Sequence, residues 1–494
     1  MRTSGRLAAA IEILADFEAR RVPLKTALAD WARGARYAGA KDRAWISGLC
    51  LDALRRRNSL SARMGGESPR ALALGAMRFL WEVPLDDLAA VASEEPHGPG
   101  ALTEEEEAIL RNSAPLHLSP SGRGRNREAV SGEGEGEPGE ITGASSPSSG
   151  AEPVLGPAFG RTRGGHLLPD GEKGEPQPHI AGDFPEWLTP HMRRVFGERA
   201  ADEGAALAAR ADVDLRLNTL KATPEKALAA LGPVKGEALP ILINAARIAA
   251  PDSSERAPAV TVIPAFNKGW VEVQDLGSQI AAAAAGAVKG AQTLDYCAGG
   301  GGKTLALAAL MENTGQLYAY DRDALRLKPL YERAKRAGIR NLQVRNPAGG
   351  ETLDDLEARM DAVFVDAPCT GSGAWRRHPD TKWRLTPQQL ERRMGEQDAV
   401  LAEAARFVKP GGRLVYVTCS VFIEENEDRV AAFLGAHPDF AQTPAFEAVA
   451  ASGLMTEEGR AALGACATPD GALRLTPARL RADGFFIAVL ARRV

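Results

Sequence analysis

Apolar positions recur at helical spacing near the start of the chain, as in Leu7, Ile11, Leu14 and Phe17, and again in Ile46, Leu49, Leu51 and Leu54. An apolar stripe of this period predicts amphipathic helices, and residues 1–92 read as a helical domain. The pattern then lapses. Residues 93–181 include Ser131–Gly150, where Gly-Glu repeats give way to a Ser/Pro cluster. Such a segment buries too little apolar surface to offset chain entropy, so it reads as a disordered linker or insertion. Order resumes at Asp183-Phe184-Pro185-Glu186-Trp187-Leu188. Val213–Asn218 alternates like a strand, and Thr223-Pro224-Glu225 opens a helix, so residues 182–270 are predicted to form a small α/β subdomain.

From 271 to 494 the period switches repeatedly. Strands are predicted at Thr293–Cys297, Gln316–Asp321, Asn341–Arg345, Ala362–Asp366, Arg413–Thr418 and Phe485–Ala491. Helices are predicted over 303–311, 323–337, 388–408 and 423–435. This rhythm predicts an α/β domain with a doubly wound, mostly parallel sheet, whose ligands bind beyond the C-terminal strand ends.

The chain has 494 residues, 44% of them hydrophobic, which is more than one ordinary domain holds. No apolar run approaches the about 18 residues that a membrane helix needs. Glu12, Asp16 and Glu18 interrupt the first apolar stretch, unlike a secretory leader, and the expected location is cytoplasmic. The net charge of −4 hides an asymmetry, because residues 1–70 hold 14 Lys and Arg against 7 acids, a local balance of 14 − 7 = +7. That surface suits phosphate binding, or is simply a solvated helical face. The five cysteines include no C-x-x-C, so neither a disulfide framework nor a metal site is expected.

The unusual residues cluster at predicted strand ends. The first strand runs into Cys297-Ala298-Gly299-Gly300-Gly301-Gly302-Lys303-Thr304. It is not a phosphate-binding P-loop, since that spacing would need glycine where Cys297 stands. The second strand ends at Asp321, placed to accept hydrogen bonds from a ribose or to cap a helix. With the glycine turn before it, a nucleoside-bearing cofactor is the better reading. The fourth strand ends in Asp366-Ala367-Pro368-Cys369 and the fifth in Thr418-Cys419-Ser420. On neighbouring strands, two thiols would face one pocket.

One chemistry that needs this set is methylation at carbon 5 of cytosine. A thiolate added to carbon 6 makes carbon 5 nucleophilic enough to take a methyl group. Lys303 would supply positive charge, and Asp366 would bond the base edge. The residues alone leave Cys369 and Cys419 as rival nucleophiles. Arg376, Arg377, His378 and Lys382 follow the Cys369 loop and read as an RNA-binding entrance, with Trp375 and Trp383 for stacking.

These motifs resemble the Sun/Fmu (RsmB-like) family of RNA cytosine-C5 methyltransferases, over roughly residues 183–494. The resemblance rests on Cys297–Thr304, Asp366–Gly373, Lys409-Pro410-Gly411-Gly412, Thr418-Cys419-Ser420 and Glu424-Glu425-Asn426-Glu427. It implies a Rossmann-like class I methyltransferase fold, an all-α NusB-like N-terminal RNA-binding domain, and S-adenosyl-L-methionine as cofactor. It implies Cys419 as the nucleophile and Cys369 as an aid to product release. Cofactor binding is implied for Cys297, Ala298, Gly299, Gly300, Gly301, Gly302, Lys303, Asp321 and Asp366. The implied partner is RNA, 16S rRNA in the first place, bound by a monomer without membrane or metal. A transfer RNA substrate and a non-catalytic ribosome assembly factor are the alternatives. The family's usual Cys-Ala-Ala-Pro-Gly-Gly-Lys-Thr is altered at Gly299 and Gly300. The family's acid after the third strand is absent from Arg345–Gly350, leaving Asn346 or Glu351 for that role.

Overall fold

The structure is a computed structural model and describes residues 1–111, 177–251 and 259–494. The stretch Ser131–Gly150 lies outside them. The N-terminal domain is all helical. Leu7, Leu14 and Phe17 of the helix Thr3–Arg20 meet Ile46, Leu49 and Leu54 of the helix Ala40–Arg55 in one core. The domain extends past the expected boundary at 92. The helix Glu104–Arg111 seats Leu110 fully buried in the same core, and Arg70 pairs with Glu106 at 2.8 Å. The acidic run Glu104–Glu107 hides the apolar anchors Ile109 and Leu110 from a pattern reading.

The subdomain contains β1 (Val213–Leu217), β2 (Glu237–Ala238), β3 (Ala245–Ile248) and β4 (Val271–Val273). They form an antiparallel sheet in the order β2-β3-β1-β4, which carries the unit slightly beyond residue 270. β1 directs Leu215 and Leu217 into a core with Ala227 and Leu231.

The large sheet consists of β5 (Gln292–Asp295), β6 (Gln316–Tyr320), β7 (Leu342–Arg345), β8 (Met360–Asp366), β9 (Val408–Thr418), β10 (Phe440–Thr443), β11 (Leu473–Leu475) and β12 (Phe485–Arg492). Its order is β10-β12-β9-β8-β5-β6-β7, with β11 also on β12. β5 to β9 are parallel, and β12 runs antiparallel to β9. Helices cover both faces, so Val363, Phe364, Val365, Leu414, Val415 and Val417 are all fully buried. This is the Rossmann-like class I methyltransferase architecture. All six expected strands are present. β10 and β11 were not foreseen, being short edge strands without a readable alternation. The order reverses between β5 and β8, and the crevice at that switch point holds the site.

The helix Pro379–Arg384 docks the helical domain onto this sheet. Trp383 Nε1 donates to Leu54 O at 2.6 Å, and Leu24 N donates to Asp380 at 3.2 Å. Among the described residues, no helix is long and apolar enough to cross a membrane.

Candidate active site

Register fixes the pocket. β8 and β9 are parallel neighbours with Asp366 opposite Val417, so the loops that follow leave the sheet side by side. Cys369 Sγ and Cys419 Sγ stand 3.4 Å apart, and both residues are half-buried rather than sunk among aliphatics. Gly373 makes the approach possible. Its N–H donates to Cys419 O at 2.9 Å, and a Cβ there would collide with the backbone of Gly484.

Lys303, in the first turn of the helix Gly302–Leu310, reaches across to Asp366 at 2.8 Å. Burial works against its ammonium, but Asp366 outweighs burial by charge and hydrogen bond, and the net shift is upward. Lys303 therefore stays charged, with Cys419 among the groups that favour its proton. The Cys369 thiol is held well above the ordinary range, first by its hydrogen bond to Cys419 and then by burial. The Cys369 thiol is thus disfavoured as a thiolate where it stands.

Both cysteine loops hang on Glu425, a fully buried carboxylate whose pKa burial raises. It accepts from Thr370 N at 2.8 Å, Thr370 Oγ1 at 2.5 Å, Gln397 Nε2 at 3.0 Å and Ser420 Oγ. Each cysteine's successor in the chain is therefore tied to one carboxylate. Asn426 adds a further tie, donating to Ser420 O at 3.0 Å. Sequence reasoning used Glu425 and Asn426 only as part of a resemblance. An acid six positions after a candidate cysteine was the available signal, but only the fold shows what it binds.

On the cofactor side, Gly299 N donates to Asp321 Oδ2 at 2.9 Å, and Asp323 N donates to Oδ1 at 2.9 Å. The carboxylate is buried at the end of β6 and keeps lone pairs for further donors. Gly301 has φ +84°, and a Cβ on it would drive into Leu330. The turn Cys297–Gly302 is therefore a bare backbone cradle above a carboxylate, which fits a nucleoside with ribose hydroxyls. Asp295 lies beneath, fully buried and bonded by Thr304 Oγ1 at 2.6 Å; burial pushes its pKa up to about 7. The Cys297 thiol is driven well above the ordinary range by burial and then by Asp366, Asp321 and Asp295. At the end of β7, Glu351 folds back to accept the Asn346 N–H at 2.6 Å, bringing a carboxylate to the strand end that lacked one.

The expected RNA entrance is corrected. Arg376 and Lys382 are buried, and Arg377 is largely enclosed. Arg376 pairs with Asp483 at 3.2 Å, while Arg377 pairs with Asp275 at 2.8 Å and Asp483 at 2.6 Å. Lys382 donates to Arg55 O at 3.0 Å and to Asp183 O, and burial drives its pKa down to about 7. Trp375 is buried in an apolar cluster, and Trp383 is bonded to the helical domain. Of that run only His378 is exposed. Lys382 ties the helical domain to the segment before the subdomain through carbonyls, while Arg376 and Arg377 are neutralised by buried acids distant in the chain. Among the described residues, no group of His, Cys, Asp and Glu could hold a metal ion.

Comparison with known proteins falls on the same sheet and its flanking segments. Residues 285–491 match the family model of the 16S rRNA methyltransferase RsmB/F. A probable ribosomal RNA small subunit methyltransferase B from Synechocystis is 31% identical over 63% of this chain and 67% of its own length. Other curated relatives of that name are matched over as little as 57% of their length. A methyltransferase homolog protein from Pyrococcus horikoshii is 26% identical with a TM-score of 0.51, covering 64% of this chain and 97% of that one. NSun6 from Pyrococcus horikoshii, solved with SFG, has the same fold at 22% identity and a TM-score of 0.52, over 63% of this chain and 98% of that one. On this identity and coverage, together with the class I methyltransferase sheet, the chain belongs to the RsmB/F family of S-adenosylmethionine-dependent rRNA methyltransferases.

Proposed function

We propose that this protein methylates carbon 5 of a cytosine in 16S rRNA through a covalent adduct on Cys419. The observation that carries the reading is the pair of half-buried thiols 3.4 Å apart beside the Lys303–Asp366 ion pair. S-adenosylmethionine supplies the electrophilic methyl group. Gly299 to Gly302 and Asp321 hold its nucleoside part, by backbone approach and by the ribose hydroxyls.

The chain's own residues perform the rest. The target base leaves its stack to reach a recessed pocket. Cys419 Sγ attacks carbon 6 as a thiolate, forming the S–C6 bond while the ring's electron pair moves toward nitrogen 3 and oxygen 2. Lys303 faces that developing charge as a fixed ammonium, while Asp366 holds Lys303 in place and accepts a bond from the base's amino edge. After methylation a base removes the carbon 5 proton. The returning electron pair expels Cys419, and the neutral Cys369 thiol supplies a proton to the departing sulfur. Glu425 keeps the two loops in register so that the two sulfurs stay side by side.

Methyl transfer from labelled S-adenosylmethionine to unmodified small-subunit RNA tests the reading. Cys419→Ala abolishes it, whereas Cys369→Ala attacks the base and accumulates a protein–RNA adduct stable to denaturation. Wild-type activity in Cys419→Ala sinks the mechanism. An adduct trapped by Cys419→Ala instead reverses the two roles, and methylation of transfer RNA alone moves the substrate.

A further inference from the structure

A groove outside the pocket is lined by Lys221, Asn267, Lys268, Trp270, Glu332, Lys335 and Arg336, and encloses about 730 Å³. One wall is the small antiparallel subdomain and the other is the helix Lys328–Ala337. Lys221, Lys268 and Lys335 are exposed. Among the described residues, the lysines in ion pairs are Lys289, Lys303 and Lys409, so the three groove lysines offer uncompensated charge. Glu332 is the one acid on the lining. Two ammonium groups pack against the Trp270 ring, Lys226 at 4.6 Å and Lys268 at 4.7 Å from its centroid.

The groove is rigid and is connected to the cofactor cradle. Glu272 of β4 binds Arg333 at 3.1 Å and Arg336 at 2.6 Å, clamping the two walls together. Arg333 also donates to Gly300 O at 2.5 Å, inside the cradle itself. Arg333 and Arg336 are separated by about 4.5 Å along the helix axis. The groove thus begins about one helical turn from the cofactor loop.

Exposed ammonium groups outside any ion pair, gathered on one groove, suit a chain of phosphates. Lysines neutralise phosphates irrespective of sequence. We propose that this groove is a second RNA contact, which holds the strand flanking the target cytosine while the pocket holds the base. The proposal rests on RNA being the substrate of the cysteine pocket. It assigns Lys221, Lys268 and Lys335 to phosphate contacts, and none of them to the chemistry.

The test uses the full chain carrying Lys221→Gln, Lys268→Gln and Lys335→Gln together, with a protein-free small-subunit rRNA transcript. Lys409→Gln, which removes one charge on β9 outside the groove, is the control. Filter binding over a salt series reads affinity independently of methylation. Losing three phosphate contacts lowers the log–log salt slope by about 2, at about 0.7 per contact for single strands. RNA affinity falls at least tenfold at low salt, KM for RNA rises in step, and S-adenosylmethionine binding stays at the wild-type value. A triple variant with the wild-type slope and KM overturns the groove assignment. A wild type that binds RNA through the groove but methylates none overturns the functional reading instead, so the two failures are distinguishable.

Discussion

Arg376, Arg377, His378, Lys382 and Arg384 lie within one short run after the Cys369 loop, whereas Lys221, Lys268 and Lys335 are far apart in the chain. Along the sequence the clustered cations suggest an RNA surface, and the scattered lysines suggest no surface at all. In the folded molecule the clustered run is an internal fastening. Arg377 bridges Asp275 and Asp483, and Lys382 donates to carbonyls of the helical domain and of the subdomain's leading segment. The scattered lysines converge on one open groove. The difference lies in what faces each cation, and the opposing acids come from distant segments. Local charge density reports how much charge a stretch carries but not whether it is neutralised.

The sharpest way to break the comparison is Arg377→Ala. Removing that guanidinium leaves two buried carboxylates without their shared partner, at a cost of about 3–5 kcal/mol to folding. Denaturant unfolding reads it. A variant of wild-type stability that has lost only RNA affinity would return the run to the RNA surface.

Lys382 gives a smaller, pH-dependent effect. Its pKa is about 7 in the folded protein, against 10.5 for the ordinary side chain, because burial disfavours the ammonium. A depressed folded value means that the contribution is fully present above pH 10.5 and is lost as pH falls toward 7. Wild type therefore gains stability relative to Lys382→Met as pH rises from about 7 to about 9, by at most about 1.4 kcal/mol per pH unit. Parallel Tm-against-pH curves for the two proteins would count against a buried Lys382.

His378→Ala and the lysine-to-glutamine groove variants should change unfolding free energy least, within about 0.5 kcal/mol. These are solvent-facing side chains, and thermal unfolding checks them. A large loss from a single groove lysine would mean that it fastens the fold as Lys382 does.

The pocket shows the same division between what a motif states and what contacts add. Cys419, Cys369, Lys303 and Asp366 were legible because each sits in a short contiguous motif at a strand end, and parallel strands bring such ends together. The cradle Cys297–Gly302 was legible for the same reason, since glycines between a strand and a helix have few other uses. Glu425 was not, because its bonds run to Thr370 and Gln397, distant in the chain, as well as to Ser420. Near β7 the sequence offered Asn346 and Glu351, and only the fold shows Glu351 turned back to accept the Asn346 N–H. The helix Glu104–Arg111 escaped notice because its two apolar anchors, Ile109 and Leu110, lie behind four glutamates.

The sequence alone determined the order of layers, the parallel sheet and the four candidate reactive side chains, because periodicity and strand-end motifs are local properties of the chain. Tertiary structure alone decided how closely the two sulfurs approach, which carboxylate locks both cysteine loops, and which cations meet water. Those outcomes depend on burial and on partners from remote segments, and electrostatic energy changes steeply with both.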